Sequence, residues 1–170
     1  RSFHTLLANM QEKLCFALIR SRFGKIVVVN QAVADRLRAL GFSKHQILLS
    51  SNFVDAPSEP KAYGDKDITL VFCGRMVTQK GVDDFVAVCR HLSREQQKFR
   101  AVMIGAGPEL GRLQRIVKTQ KLPIELPGYA SHKAKFDLIS RSKLFVFPSV
   151  EEGWGIAIAE ALAAGTPVMA

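Results

Sequence analysis

The feature that most constrains this chain is a rhythm that begins after residue 67. Apolar, β-rich runs at 68–73 (ITLVFC), 99–104 (FRAVMI), 124–126 (IEL) and 144–147 (LFVF) alternate with stretches of helical periodicity. Val82, Phe85, Val86, Cys89 and Leu92 line one helix face; Leu110, Leu113, Ile116 and Val117 line the next. Residues 131–140 and 155–164 predict two further helices, and Pro167-Val168-Met169-Ala170 opens another strand. Strands this apolar have no polar face to give to water, so helices must cover both sides of their sheet. Strand, helix, strand in succession then means parallel strands joined by right-handed crossovers. The prediction is an α/β doubly wound parallel sheet.

The earlier residues follow a different plan. Phe3, Leu6, Leu7, Met10, Leu14, Ala17 and Leu18 fall on one helical stripe. Lys25 to Asn30 reads as a buried parallel strand, Ala32 to Leu40 as a helix closed by Gly41, and Ile47-Leu48-Leu49 as a short strand. From Asn52 to Asp67 the chain holds Pro57, Pro60 and Gly64 with few large apolar residues, which is linker composition. The expected organisation is therefore residues 1–51, a linker at 52–66, and a second domain at 67–170. The chain opens at Arg1 without Met or a signal-peptide pattern and stops as a strand begins, so a piece of a longer protein is expected.

Composition narrows the function classes. At 170 residues and 48% hydrophobic, the chain is globular, with room for one domain and part of another. No run approaches the roughly 18 apolar residues of a membrane-spanning helix. Cys15, Cys73 and Cys89 form no CxxC, which suits a reducing, cytoplasmic setting and not structural zinc. The formal net charge is +9, and residues 112–143 carry much of it: Arg112, Arg115, Lys118, Lys121, Lys133, Lys135, Arg141 and Lys143 against Glu125 and Asp137. Solvated helix faces are the first reading, and peripheral contact with an anionic cytoplasmic membrane face the second. With one Trp and two Tyr there is no aromatic-interleaved basic stripe, so nucleic acid is not expected as a partner.

In doubly wound sheets ligands sit outside the carboxyl ends of the strands, so the loops there carry the search. After strand 68–73 comes Gly74-Arg75-Met76-Val77-Thr78-Gln79-Lys80-Gly81, with two cations on one short loop. After strand 99–104 comes Gly105-Ala106-Gly107-Pro108-Glu109, where Pro108 suits a first helical turn whose free amides would face the same crevice. Gly105 and Gly107 serve either that tight turn or close contact with a ligand. After strand 144–147 comes Pro148-Ser149-Val150-Glu151-Glu152-Gly153-Trp154-Gly155, leading into a helix that carries Glu160. On one continuous helix Glu152 and Glu160 would be rotated by about 80°. With Glu152 in the loop they reach different parts of one extended ligand. Two cations, two separated carboxylates and amide-rich turns describe a site for a nucleoside-diphosphate sugar.

These same residues resemble a known family. GR-x4-KG at 74–81, G-x-GP at 105–108, PS-x2-EGWG at 148–155, E-x7-E at 152–160 and EALAAGTPV at 160–168 are similar to the retaining GT-B glycosyltransferases of family 4. Asn52-Phe53-Val54-Asp55 stands where N-G-V-D is usual. The resemblance implies that 67–170 is the Rossmann-like, nucleotide-sugar donor-binding domain, the C-terminal half of a GT-B fold, and that 1–51 ends the acceptor domain. It implies hexosyl or other glycosyl transfer in cell-surface polysaccharide or glycoconjugate synthesis, to a glycan or lipid-linked acceptor, with no cofactor or divalent metal. By position, Arg75 and Lys80 resemble the diphosphate ligands, Glu152 the catalytic glutamate touching the transferred sugar, and Glu160 the ribose ligand. Gly153, Trp154, Gly155, Ile156 and Ala157 resemble the backbone that meets sugar and phosphates, and Gly128-Tyr129-Ala130 the nucleobase loop. With most of an acceptor domain missing, the chain alone is expected to be inactive.

Other readings stay open. A sugar-nucleotide epimerase of the same architecture would not be expected to carry E-x7-E with EGWG, and a non-catalytic nucleotide-binding subunit would not need all four charged residues. Asp65-Lys66-Asp67 fits a metal-binding D-x-D pattern but precedes a strand, opposite the ligand end, so a solvent turn is expected. His4, His45, His91 and His132 show no ligand spacing, and Cys73 reads as a packed small residue.

Overall fold

The computed structural model describes residues 3–22, 24–50, 54–55, 60–150, 152 and 155–170. The chain divides into two compact units, Arg1–Phe53 and Val54–Ala170. The first unit contains helix α1 (Phe3–Arg22), strand β1 (Ile26–Val28), helix α2 (Gln31–Ala39) and strand β2 (Ile47–Leu49). β1 and β2 pair in parallel, with Ile26 opposite Ile47. Asn30 starts α2 because its side-chain oxygen accepts the Val33 amide at 2.8 Å, satisfying a donor the helix cannot. The core of the unit is Val28, Ala34, Leu37 and Phe42, with Phe16, Ile19 and Ile26 packed against it.

Two expectations for this unit are corrected. The strand at 25–30 is not buried throughout: Val28 is, while Val27 is 61% exposed, because the apolar residues gather on one face of the two-stranded sheet. Nor do Leu14 and Leu18 make the buried stripe of α1, both being more than half exposed. Phe16 and Ile19 take that role, with the Phe16 ring edge-on to Phe42 at 6.0 Å. An aromatic and a β-branched residue one turn apart have claimed the contact. The side chains of Phe3, Leu6, Leu7 and Met10, also named in that stripe, lie outside the described residues.

The second unit is the doubly wound sheet. Strands β3 (Ile68–Cys73), β4 (Ala101–Ile104), β5 (Ile124–Gly128), β6 (Ser142–Val146) and β7 (Val168–Met169) stand in the order β5-β4-β3-β6-β7, all parallel. Helices α3 (Val82–Arg94), α4 (Leu110–Gln120), α5 (His132–Ser140) and α6 (Ile156–Ala163) supply the crossovers. Side chains alternate across the sheet. Leu70 and Phe72 point into a core with Val82, Phe85, Val86 and Cys89 of α3 and Leu113 of α4. Val71 and Cys73 point to the other face, among Phe136 and Ile139 of α5 and Ala161 of α6. Winding starts at β3, runs to β5, then returns past β3 to β6. The crevice at the carboxyl ends of β3 and β6 is thus the topological switch point.

Opposite that crevice, Asp67 accepts hydrogen bonds from Arg100 and Arg141, at 2.5 Å and at 2.8 and 2.6 Å. Lys66 is buried, its ammonium donating to the Ser140 carbonyl at 2.8 Å and to the Thr166 hydroxyl at 3.3 Å. Asp65-Lys66-Asp67 therefore splits: Asp67 joins an ion-pair network and Lys66 turns inward to the end of α5.

Candidate functional site

Two adjoining clefts open at the carboxyl ends of the strands and share Cys73 and Gly74 as their common wall. The larger, of about 470 Å³, is lined by Arg75, the Gly105-Ala106 turn, Tyr129, Ala130, His132 and Lys135. The smaller, of about 240 Å³, lies at the switch point and is lined by Lys80, Phe147, Glu152, Gly155, Ile156 and Ala157.

Close backbone approach builds this wall. Gly105 has φ of +141°, and a Cβ there would stand 1.9 Å from the Gly74 carbonyl oxygen. At Gly107 a Cβ would stand 2.4 Å from the Met76 carbonyl oxygen. Both glycines are thus required by the contact of two post-strand loops, which the Gly74 amide cements by donating to the Ile104 carbonyl at 3.0 Å. The same packing takes up two of the amides expected to be free. At the start of α4 the amides of Glu109 and Leu110 are spent on the carbonyls of Met76 and Gly107, at 3.1 Å each.

In the smaller cleft Lys80 ends a short 3₁₀ turn (Thr78–Lys80) and forms an ion pair with Glu152. Their side chains are 17% and 30% exposed, so water screens the pair only in part. Gly155 starts α6 with φ of +71° and offers no side-chain cap, and the first residues of the helix, Ile156 and Ala157, line the cleft. A cation beside uncapped helix amides attracts anions, phosphate foremost. Gly153 and Trp154, expected to contribute backbone contacts here, lie outside the described residues.

In the larger cleft Arg75 is solvent-exposed and has no ion-pair partner among the described residues. Tyr129 is 84% exposed at the rim, and Gly128 ends β5, its carbonyl accepting the Gly105 amide at 2.8 Å. The His132 ring lies 4.7 Å from that of Phe136. Glu160, 9% exposed, is held by Lys135, whose ammonium stands 2.5 Å from its carboxylate. Burial pushes the Cys73 thiol up to about 11, so it is a neutral wall residue rather than a thiolate.

Arg75 and Lys80 therefore stand on one loop but line different clefts; Glu152 lines the smaller one, and Glu160 is buried on α6 beside Lys135. Lys135 is the residue that sequence reasoning missed. It was counted with the basic excess, although its place one turn into a helix that leaves a post-strand loop was a usable signal. Among the described residues no group of three or more His, Cys, Asp and Glu could hold a metal ion, and no helix is long and apolar enough to cross a membrane.

Comparison with known proteins bears on the family and the fold. WcaL of Escherichia coli (strain K12), named for colanic acid biosynthesis, is 30% identical over 149 residues, covering 80% of this chain and 36% of WcaL. TarM superimposes with a TM-score of 0.71 at 23% identity, over 92% of this chain and 31% of TarM. The pneumococcal O-GlcNAc transferase GtfA, solved in complex with UDP and GlcNAc, gives 0.65 at 19% identity, over 85% and 29%. The chain thus spans about a third of the length of these proteins, and its second unit has the architecture of GT-B glycosyltransferases. Residues 55–170 match the family described as Glycosyl transferases group 1, and the chain belongs to that family.

Proposed function

We propose that the Val54–Ala170 unit binds the nucleoside-diphosphate sugar of a glycosyltransferase that retains anomeric configuration. The observation that carries this reading is the switch-point cleft, where Lys80, Glu152 and the uncapped amides of α6 converge. Arg75 lies in the adjoining cleft, so a diphosphate spanning the shared Cys73–Gly74 wall meets a cation on each side. Two side-chain cations and helix amides neutralise the leaving diphosphate without a divalent metal or another cofactor. The Glu152 carboxylate is then the catalytic group beside the transferred sugar, where it opposes the positive charge that grows as the glycosidic bond breaks. Glu160 takes the ribose hydroxyls, and the Gly128–Ala130 loop, with the exposed Tyr129 ring, takes the base. Gly153, Trp154, Gly155, Ile156 and Ala157 supply backbone contacts to sugar and phosphates.

The first unit belongs, in this reading, to the acceptor domain of a longer enzyme acting on a glycan or lipid-linked acceptor in cell-surface polysaccharide or glycoconjugate synthesis. The relative named for colanic acid biosynthesis and the neighbour solved with UDP support the reading. It places the enzyme in the cytoplasm with peripheral membrane contact. Of the cations at 112–143, Arg112, Lys135 and Arg141 are engaged by carboxylates, while Arg115, Lys118 and Lys121, on α4 and just past its end, are exposed to face a surface. The test is NMR of the full-length enzyme turning over a nucleoside-diphosphate sugar. A product with the donor's anomeric configuration is expected; an inverted product, or donor epimerisation without transfer, contradicts the proposal.

A further inference from the structure

Lys135 of α5 lines the larger cleft and pairs with Glu160, which comes from a different helix, α6. Their side chains are 19% and 12% exposed, the least exposed of the ion pairs among the described residues. Lys135 is the one polar side-chain partner of Glu160 among those residues. A carboxylate this enclosed needs a counter-charge, because burying a lone ion costs several kcal/mol. A residue serving only that need could stand anywhere around Glu160. Lys135 instead lines the cleft itself, together with Arg75, Tyr129 and Ala130.

The chemistry of the pair is specific. A carboxylate accepts hydrogen bonds and cannot donate; an ammonium donates and cannot accept. A carboxylate alone would take two neighbouring hydroxyl protons and make no demand on the hydroxyl lone pairs. The pair makes a different demand: one hydroxyl gives its proton to Glu160 while its neighbour accepts from Lys135. We infer that Lys135 is a specificity-determining residue, reading a vicinal diol jointly with Glu160. This rests on Glu160 being the ribose ligand, as proposed above, and the diol is then the 2′,3′-diol of the donor's ribose.

The experiment is calorimetry on the full-length protein with uridine and guanosine diphosphates and their 2′-deoxy and 3′-deoxy forms, using whichever base binds. In the unmodified protein, loss of either hydroxyl should weaken binding about tenfold or more, the range of a charge-assisted hydrogen bond. Lys135→Met should abolish that penalty at one position and keep it at the other, while Lys135→Arg keeps both. Thermal melts screen the variants. If Lys135→Met does not fold, Lys135→Gln replaces it, and a penalty reduced at one position supports the inference. Full penalties at both positions in the Met or Gln variant overturn it. Glu160→Gln separates the two claims. If it removes a penalty while the Lys135 variants keep both, the Glu160 reading stands and the Lys135 inference falls. If it keeps both penalties, or the unmodified protein shows none, both fall.

Discussion

Lys80 and Glu152 are 72 positions apart in sequence and form an ion pair beside the first amides of α6. A diphosphate entering this cleft competes with Glu152 for the same ammonium. On the proposed reading, the competition couples binding to chemistry: as phosphate engages Lys80, the carboxylate is released toward the sugar. Glu152→Gln should therefore bind a nucleoside diphosphate several-fold tighter while turnover falls by about a hundredfold or more. Calorimetry beside steady-state kinetics on the full-length enzyme checks this; weaker diphosphate binding by the variant contradicts it.

The Asp67 network predicts a pH dependence of stability. Hydrogen bonding from Arg141, with the charges of Arg141 and Arg100, holds the Asp67 carboxyl down to about 2, against an ordinary 3.8. Because the folded value lies below the unfolded one, the stabilisation is complete above about pH 4 and is lost as pH falls toward 2. The Asp67 side chain is 46% exposed, so screening limits its worth to about 1 kcal/mol. Asp67→Asn should cost that much in urea unfolding at pH 7, with the gap closing by pH 2. A gap that stays constant to pH 2 would show that the ion pairs are not its source.

Lys66 predicts a larger effect. Its ammonium satisfies the Ser140 carbonyl at the end of α5, and the Thr166 hydroxyl that it reaches donates in turn to the Ile139 carbonyl at 2.7 Å. Lys66→Met keeps the volume but strips both acceptors of their donor. It should cost about 1–3 kcal/mol, the range for leaving buried polar groups unsatisfied. Unfolding midpoints that match the unmodified protein would remove Lys66 as the fastener of α5.

Much of the second unit was legible because its signals are local. β3 runs from Ile68 to Cys73 as its apolar run predicts, between Asp67 and Gly74. β4 starts two residues later than the run at 99–104, because Arg100 turns outward to Asp67 and Glu125. β6 starts earlier, at a fully buried Ser142 whose hydroxyl donates to the Leu138 carbonyl at 2.7 Å, a polar residue that apolar counting passes over. At the site, Arg75, Lys80, Glu152 and Glu160 announced themselves by lying in or just beyond loops that follow strands. Lys135, one turn past the loop after β5, carries the same positional signal, but its meaning depends on Glu160, which only the folding of α5 against α6 brings to it. Nor could spacing along one loop reveal that Arg75 and Lys80 would line separate clefts.

The most direct test of donor binding lies with Arg75, the exposed cation of the larger cleft. Calorimetry on the full-length protein should compare a nucleoside diphosphate with its parent nucleoside, before and after Arg75→Ala. Loss of one charge-assisted contact, about 1.5–3 kcal/mol, should weaken diphosphate binding about tenfold to a hundredfold and leave the nucleoside unchanged. Equal losses for the two ligands, or none for either, would contradict a diphosphate at the Cys73–Gly74 wall.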